Sequence, residues 1–147
     1  MKVLFLDMDG VLNTLKTLRS EWPDDIDGNL LQHLQVIMEE TDAVIVLTSS
    51  WRLYNSSVRT IMDRFNECGF GHRLIDKTPD LKNDAPRSDE IMQWMIGKDI
   101  TAFAILDDED DAGFGLEQHL FKTRTSVGLT EEIARKIIQH LMLPTEG

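Results

Sequence analysis

Hydrophobic residues in this chain fall into short runs that end in polar or acidic clusters. "KVLFLDMD" (2–9) and "AFAILDD" (102–108) close on acids, and "AVIVLTSS" (43–50), rich in β-branched residues, closes on hydroxyls. Runs of this length and composition predict buried strands. "RLI" (73–75) and "LFKTR" (120–124) are weaker strand candidates. Between them the apolar positions take up a helical period over 29–40, 55–68, 88–97 and 130–142. Punctuation agrees: Thr130 with Glu131 and Glu132 opens the last helix, Pro144 closes it, and Pro86 precedes a helix that begins near Arg87. Short apolar runs alternating with helices predict an α/β fold, a Rossmann-like parallel sheet with helices on both faces. Ligands of such sheets sit outside the carboxyl ends of the strands, near the point where strand order reverses. Asp7 and Asp9, Thr48 and Ser49, and Asp107, Asp108 and Asp111 are therefore expected to converge on one crevice.

Composition narrows the class. A length of 147 residues suits one domain, 1–147, and 41% hydrophobic with 28% charged residues is ordinary globular composition. No apolar run is long enough for a membrane helix. The opening "MKVLFLDMDG" meets acids where a signal peptide needs small residues, so the expected location is cytoplasmic. The single cysteine, Cys68, offers no disulfide framework. A net charge of −11 argues against a basic nucleic-acid footprint and against stable duplex-DNA binding. A nucleic-acid end stays open as substrate, because a bound divalent cation can reverse the field locally.

The run of five acids from Asp107 to Asp111 is where chemistry enters. Carboxylates gathered beside Asp7 and Asp9 repel one another unless a cation sits among them, and a hard ion such as Mg²⁺ suits oxygen ligands. Acids in a first helical turn also complement the helix dipole, which is the simpler account of Glu109 and Asp110. A metal held by carboxylates suggests phosphoryl transfer or metal-assisted hydrolysis. Thr48 and Ser49 would then supply donors to the phosphoryl oxygens, and Arg87 positive charge.

These residues resemble a known family. "LFLDMDGVLN" is similar to motif I of the haloacid dehalogenase (HAD) superfamily, hhhhDxDGV. "VIVLT" resembles motif II, Arg87 stands where the motif III lysine or arginine opens a helix, and "FAILDDEDD" resembles motif IV. Within the superfamily, "TSSWR", "RSDEIMQWM", "ILDDEDD" and a later "GLT" resemble the small HAD domain of RNA-repair (Swiss Army Knife) proteins. The 3′-phosphatase half of polynucleotide kinases is a more distant likeness. The resemblance implies that Asp7 is a nucleophile forming an aspartyl-phosphate, and that Asp9 is the proton donor and then the base. It also implies that Mg²⁺ is held by the Asp7 carboxylate, the Asp9 carbonyl and a motif IV acid, with Asp107 first, Asp108 next and Asp111 fitting the wider form of the motif. Thr48 and the Ser49 amide would hold phosphoryl oxygens and Arg87 would neutralise them, with Lys77, Lys82 and Lys98 as competitors for that role.

Insertions are short, so little or no cap domain is expected. The segment 13–27 can form a small flap and 76–86 a rim loop, while Trp22, Trp51 and Arg52 are candidates for the rim, Arg52 the best of them for substrate contact. The expected activity is a Mg²⁺-dependent phosphomonoester hydrolase acting on nucleotides or nucleic-acid 3′-phosphate ends. The alternatives are a small-metabolite phosphatase or, lower, a receiver-like or non-catalytic module. In a receiver the acceptor aspartate ends the third strand, whereas here the acceptor-like "DMDG" closes the first.

Overall fold

A computed structural model describes residues 1–18, 24–82 and 84–143. Five strands, β1 (Lys2–Leu6), β2 (Val44–Leu47), β3 (Leu74–Lys77), β4 (Ala102–Asp107) and β5 (Leu120–Lys122), form one sheet in the order β3-β2-β1-β4-β5. Every pairing is parallel. The helices are α1 (Leu15–Leu18), α2 (Gly28–Glu40), α3 (Asn55–Glu67), α4 (Arg87–Met95) and α5 (Glu131–Met142). All five strands and four long helices foreseen from the pattern are present, and among the described residues nothing forms a separate cap.

Strand pleat divides the core in two. Leu4, Leu6, Ile45, Leu47, Ala104 and Leu106 face α2, α3 and α5, whereas Val3, Phe5, Val46 and Ile105 face Ile91 and Trp94 of α4. The three central strands, β1, β2 and β4, thus carry apolar residues on both sides, which is why their runs read as nearly continuous. Local chemistry sets the helix starts: the Asp27 carboxylate accepts from the Asn29 amide at 2.9 Å, and the Thr130 hydroxyl accepts from the Ile133 amide at 3.2 Å. Pro86 precedes α4, where its fixed φ and missing N–H suit a helix entrance. Pro144, foreseen as the stop of α5, lies outside the described residues.

The register of the three central strands decides where the site forms. Leu6 pairs with both Leu47 and Leu106, so the residues that follow, Asp7, Thr48 and Asp107, come level at the carboxyl edge. The ladder runs one step further there: the Asp7 amide donates to Leu106 O and the Thr48 amide to Leu6 O, both at 3.0 Å. Strand order reverses between β1 and β4, between Asp7 and Asp107.

Candidate active site

Three carboxylates meet at that reversal. Asp7, Asp107 and Asp108 each bring an oxygen within 4.8 Å of the others, and Asp7 and Asp107 are buried. Burial and the neighbouring Asp107 charge push the Asp7 carboxyl up to about 8. Burial raises Asp107 as well, against the pull of Arg87. Arg87, the first residue of α4, bridges the two: one guanidinium nitrogen lies 2.9 Å from Asp7 Oδ1 and 2.8 Å from Asp107 Oδ2. Burial alone would lower the Arg87 pKa, but the two facing carboxylates more than reverse this and raise it. The remaining Asp107 oxygen accepts from the Glu109 amide at 2.9 Å, and Asp108 accepts from the Thr125 hydroxyl at 2.8 Å.

Gly10 makes the turn after Asp9, with a left-handed φ of 77°. The left-handed backbone favours glycine, and a Cβ at this position would force the Asp108 side chain to move. The turn sends Asp7 inward and leaves Asp9 exposed. Asp9 stands apart from the three-carboxylate cluster, its Oδ1 receiving the Asn13 amide at 2.9 Å and the Trp51 indole N–H at 3.0 Å. Thr123 ties the same turn down, its hydroxyl donating to Gly10 O at 2.7 Å.

On the β2 side Thr48 is buried, and its hydroxyl has no hydrogen-bond partner among the described residues. Leaving such a group unpaired costs about 1–3 kcal/mol, so its persistence beside the acids suits an anion-binding role. The Ser88 hydroxyl, next to Arg87, is buried and unpartnered too. Ser49 is buried, with its hydroxyl accepting from the Trp51 amide at 3.2 Å.

Two expectations about side-chain placement change. Arg52, expected at the rim, is only 4% exposed, with its guanidinium turned inward. Its guanidinium donates to the carbonyls of Thr48, Ser49, Thr78 and Pro79 and forms a 2.9 Å ion pair with Glu90. The physical reason is the tight turn Ser50–Leu53, which points the residue back beneath β2, where several free carbonyls await a donor. Asp111 does not join the carboxylate cluster either. It belongs to a short turn at Asp110–Gly113, whose winding carries it to a shallow depression shared with Arg87 and Glu90. Among the lysines weighed against Arg87, Lys77 donates to Arg52 O and Lys98 to Trp94 O. Lys82 is exposed on the rim loop. Trp22 lies outside the described residues.

Sequence reasoning missed Asn13, Glu90, Thr123 and Thr125. Asn13 closes the quoted "DGVLN", four residues beyond Asp9, and its spacing was the available signal. Nothing local marked Glu90 as buried. As a metal site, the cluster is chemically coherent: three hard carboxylate oxygens, two of them in buried residues, hold excess negative charge that a divalent cation would relieve. No helix among the described residues is long and apolar enough to cross a membrane.

A family model described as "HAD domain in Swiss Army Knife RNA repair proteins" matches residues 3–134, most of the chain. No curated protein and no solved structure matches it.

Proposed function

Because the chain belongs to the HAD domain family of Swiss Army Knife RNA repair proteins, we propose that it is a Mg²⁺-dependent phosphomonoester hydrolase working through an aspartyl-phosphate. The observation that carries this reading is the Asp7–Asp107–Asp108 cluster, bridged by Arg87 and set beside the unpaired Thr48 hydroxyl. Asp7, Asp107 and Asp108 would hold Mg²⁺, with the Asp9 carbonyl as the further ligand that the family resemblance implies. The ion would offset the negative charge of the phosphoryl group and its nucleophile.

The remaining steps belong to the chain's own residues. An Asp7 carboxylate oxygen attacks phosphorus as the bond to the leaving oxygen breaks, and that oxygen takes a proton from Asp9. Asn13 and Trp51 both hold Asp9 Oδ1, which leaves Oδ2 to carry the proton. Asp9 then accepts a proton from the water that attacks the aspartyl-phosphate, and inorganic phosphate leaves while Asp7 is restored. Thr48, the Ser49 amide and Arg87 hold the nonbridging oxygens throughout.

The substrate is a phosphorylated small molecule, a nucleotide or a nucleic-acid 3′-phosphate end, reached through a crevice over which the described residues form no separate cap. The test measures phosphate release, with and without Mg²⁺, from a 3′-phosphorylated oligonucleotide, mononucleotides and an aryl phosphate. Metal-dependent turnover that Asp7→Asn abolishes supports the mechanism, and turnover that survives Asp7→Asn refutes it.

A further inference from the structure

Away from the carboxylates, the amino-terminal half of β4 carries a second convergence of donor atoms. Pairing with β5 begins at Ile105 and Leu120, so the Phe103 carbonyl, two residues earlier and facing the same edge, has no strand opposite it. The His119 amide does not fill the gap, because it turns back to Leu116 O at 2.9 Å. Two imidazoles do: His119 Nδ1 lies 3.2 Å from Phe103 O and His140 Nε2 3.1 Å from it, and the two nitrogens are 2.9 Å apart. We propose that His119, His140 and the Phe103 carbonyl form a second metal site, which takes a borderline first-row divalent cation of the Ni²⁺, Cu²⁺ or Zn²⁺ kind. It stands about 13 Å along β4 from Asp107 and is independent of the phosphatase function.

Proton counting shows why a cation suits these three atoms. A carbonyl brings no proton, so the three short contacts share at most two N–H groups. With both nitrogens protonated, two donors abut at 2.9 Å; with one protonated, a bare nitrogen lone pair faces another acceptor. A metal ion lets all three atoms direct lone pairs at one centre. The spacing fits. Ligands bound at about 2.1 Å and at right angles to one another lie about 3.0 Å apart. The edges of this triangle are 2.9, 3.1 and 3.2 Å. Imidazole nitrogens suit Ni²⁺, Cu²⁺ and Zn²⁺, whereas Mg²⁺ keeps to oxygen and water, so the two metal sites differ in the ion they take.

Packing holds both rings in place before any ion arrives. His119 stacks on Phe103, with centroids 3.9 Å apart and planes 21° from parallel. His140 stands edge-on to His119 at 5.0 Å and to Phe121 at 5.2 Å. Ligands fixed in this way lose little rotamer freedom on binding. Both histidines are half-buried, so water has access to complete the coordination shell. The three ligands come from β4, the turn ahead of β5 and the last turn of α5, and a bound ion would fasten that helix to the sheet edge.

The experiment adds Cu²⁺ to the untagged protein and reads the ion by electron paramagnetic resonance, in the wild type and in His119→Phe and His140→Phe, which keep a ring and drop its nitrogens. One Cu²⁺ with nitrogen couplings from two imidazoles is expected in the wild type. Each variant should show coupling to a single imidazole and bind at least about tenfold more weakly. Carboxylates give no nitrogen coupling, so Cu²⁺ at the Asp7 cluster is told apart. A wild-type signal without two-imidazole coupling, or one unchanged in either variant, overturns the site. Circular dichroism checks that the variants fold. If they do not, the wild type decides alone, through Zn²⁺ titration of protein labelled with ¹⁵N-histidine. Of the four histidines, His119 and His140, identified by their proximity to Phe103 and Phe121, should shift together at substoichiometric Zn²⁺, ahead of His33 and His72. A response first at His33 or His72, an equal response at all four, or none overturns the site.

Discussion

Removal of the Glu90 carboxylate is the sharpest test of how the site is held together. Arg52 and Glu90 are both nearly inaccessible, their side chains 5% and 8% exposed, so two charges have been withdrawn from water. Their mutual attraction alone does not offset that desolvation. The hydrogen bonds around the pair do: Arg52 reaches the carbonyls of Thr48, Ser49, Thr78 and Pro79, and Glu90 also accepts from the Leu81 amide at 3.0 Å. The pair thus joins the loop after β2, the rim loop and the first turn of α4, where Arg87 sits three residues before Glu90. Glu90→Ala leaves a buried guanidinium without its anion and the Leu81 amide without its acceptor. Breaking one side of such a pair costs about 3–5 kcal/mol. For a chain of this size that corresponds to a fall in Tm on the order of 10 °C. Glu90→Gln keeps an acceptor for the Leu81 amide but still leaves the guanidinium without its anion, so its Tm should fall between those of the wild type and Glu90→Ala. The double variant Arg52→Met/Glu90→Leu, which leaves no orphaned charge, should melt above Glu90→Ala. Thermal unfolding followed by circular dichroism, with urea titration as a cross-check, reads all three. A Glu90→Ala protein melting within about 2 °C of the wild type would refute the reasoning.

Further outcomes follow from the site itself. With no cation bound, burial and the neighbouring Asp107 charge push the Asp7 carboxyl up to about 8 from its ordinary value of 3.8. The folded state therefore binds more protons between those values, and cation-free stability contributed by this group falls as pH rises through that window. Asp7→Asn should flatten that slope and raise stability at pH 8 by about 1–2 kcal/mol while abolishing turnover. Melting curves in chelator at pH 5 and pH 8 check this, and an unchanged slope contradicts it. Thr48→Val removes a buried, unpaired hydroxyl. Its Tm should hold or rise while phosphate release drops about 10²-fold, and unimpaired release in a steady-state assay would argue against an oxyanion role. Gly10→Ala forces a Cβ into the Asp108 carboxylate at a left-handed position. A loss of about 1–3 kcal/mol is expected, together with a smaller Mg²⁺-induced rise in Tm than the wild type shows.

Much of this molecule is legible along the chain. Strand and helix periods, the Thr130 cap and Pro86 ahead of α4 are local signals, because the side chains that create them lie within a turn or a pleat of one another. "LDMDG", "LTSS" and "LDD" each advertise polar chemistry where an apolar run stops, and a parallel sheet brings such ends to one edge. Which acids gather there is not local. Asp108 joins Asp7 and Asp107 while Asp111 is carried away, a choice made by the winding of the chain after β4 and by the close approach of Gly10. Arg52 looked like a surface cation beside a tryptophan. Its interior role depends on Thr78 and Glu90, 26 and 38 residues further along, which no periodicity connects to it. The link through Asn13 from Asp9 to Asp25 is of the same kind. Sequence alone determined the elements and the chemistry available at their ends, because propensity and capping act over a few residues. Only the tertiary structure decided which charges meet, because burial and pairing depend on neighbours that the fold, and not the chain, makes adjacent.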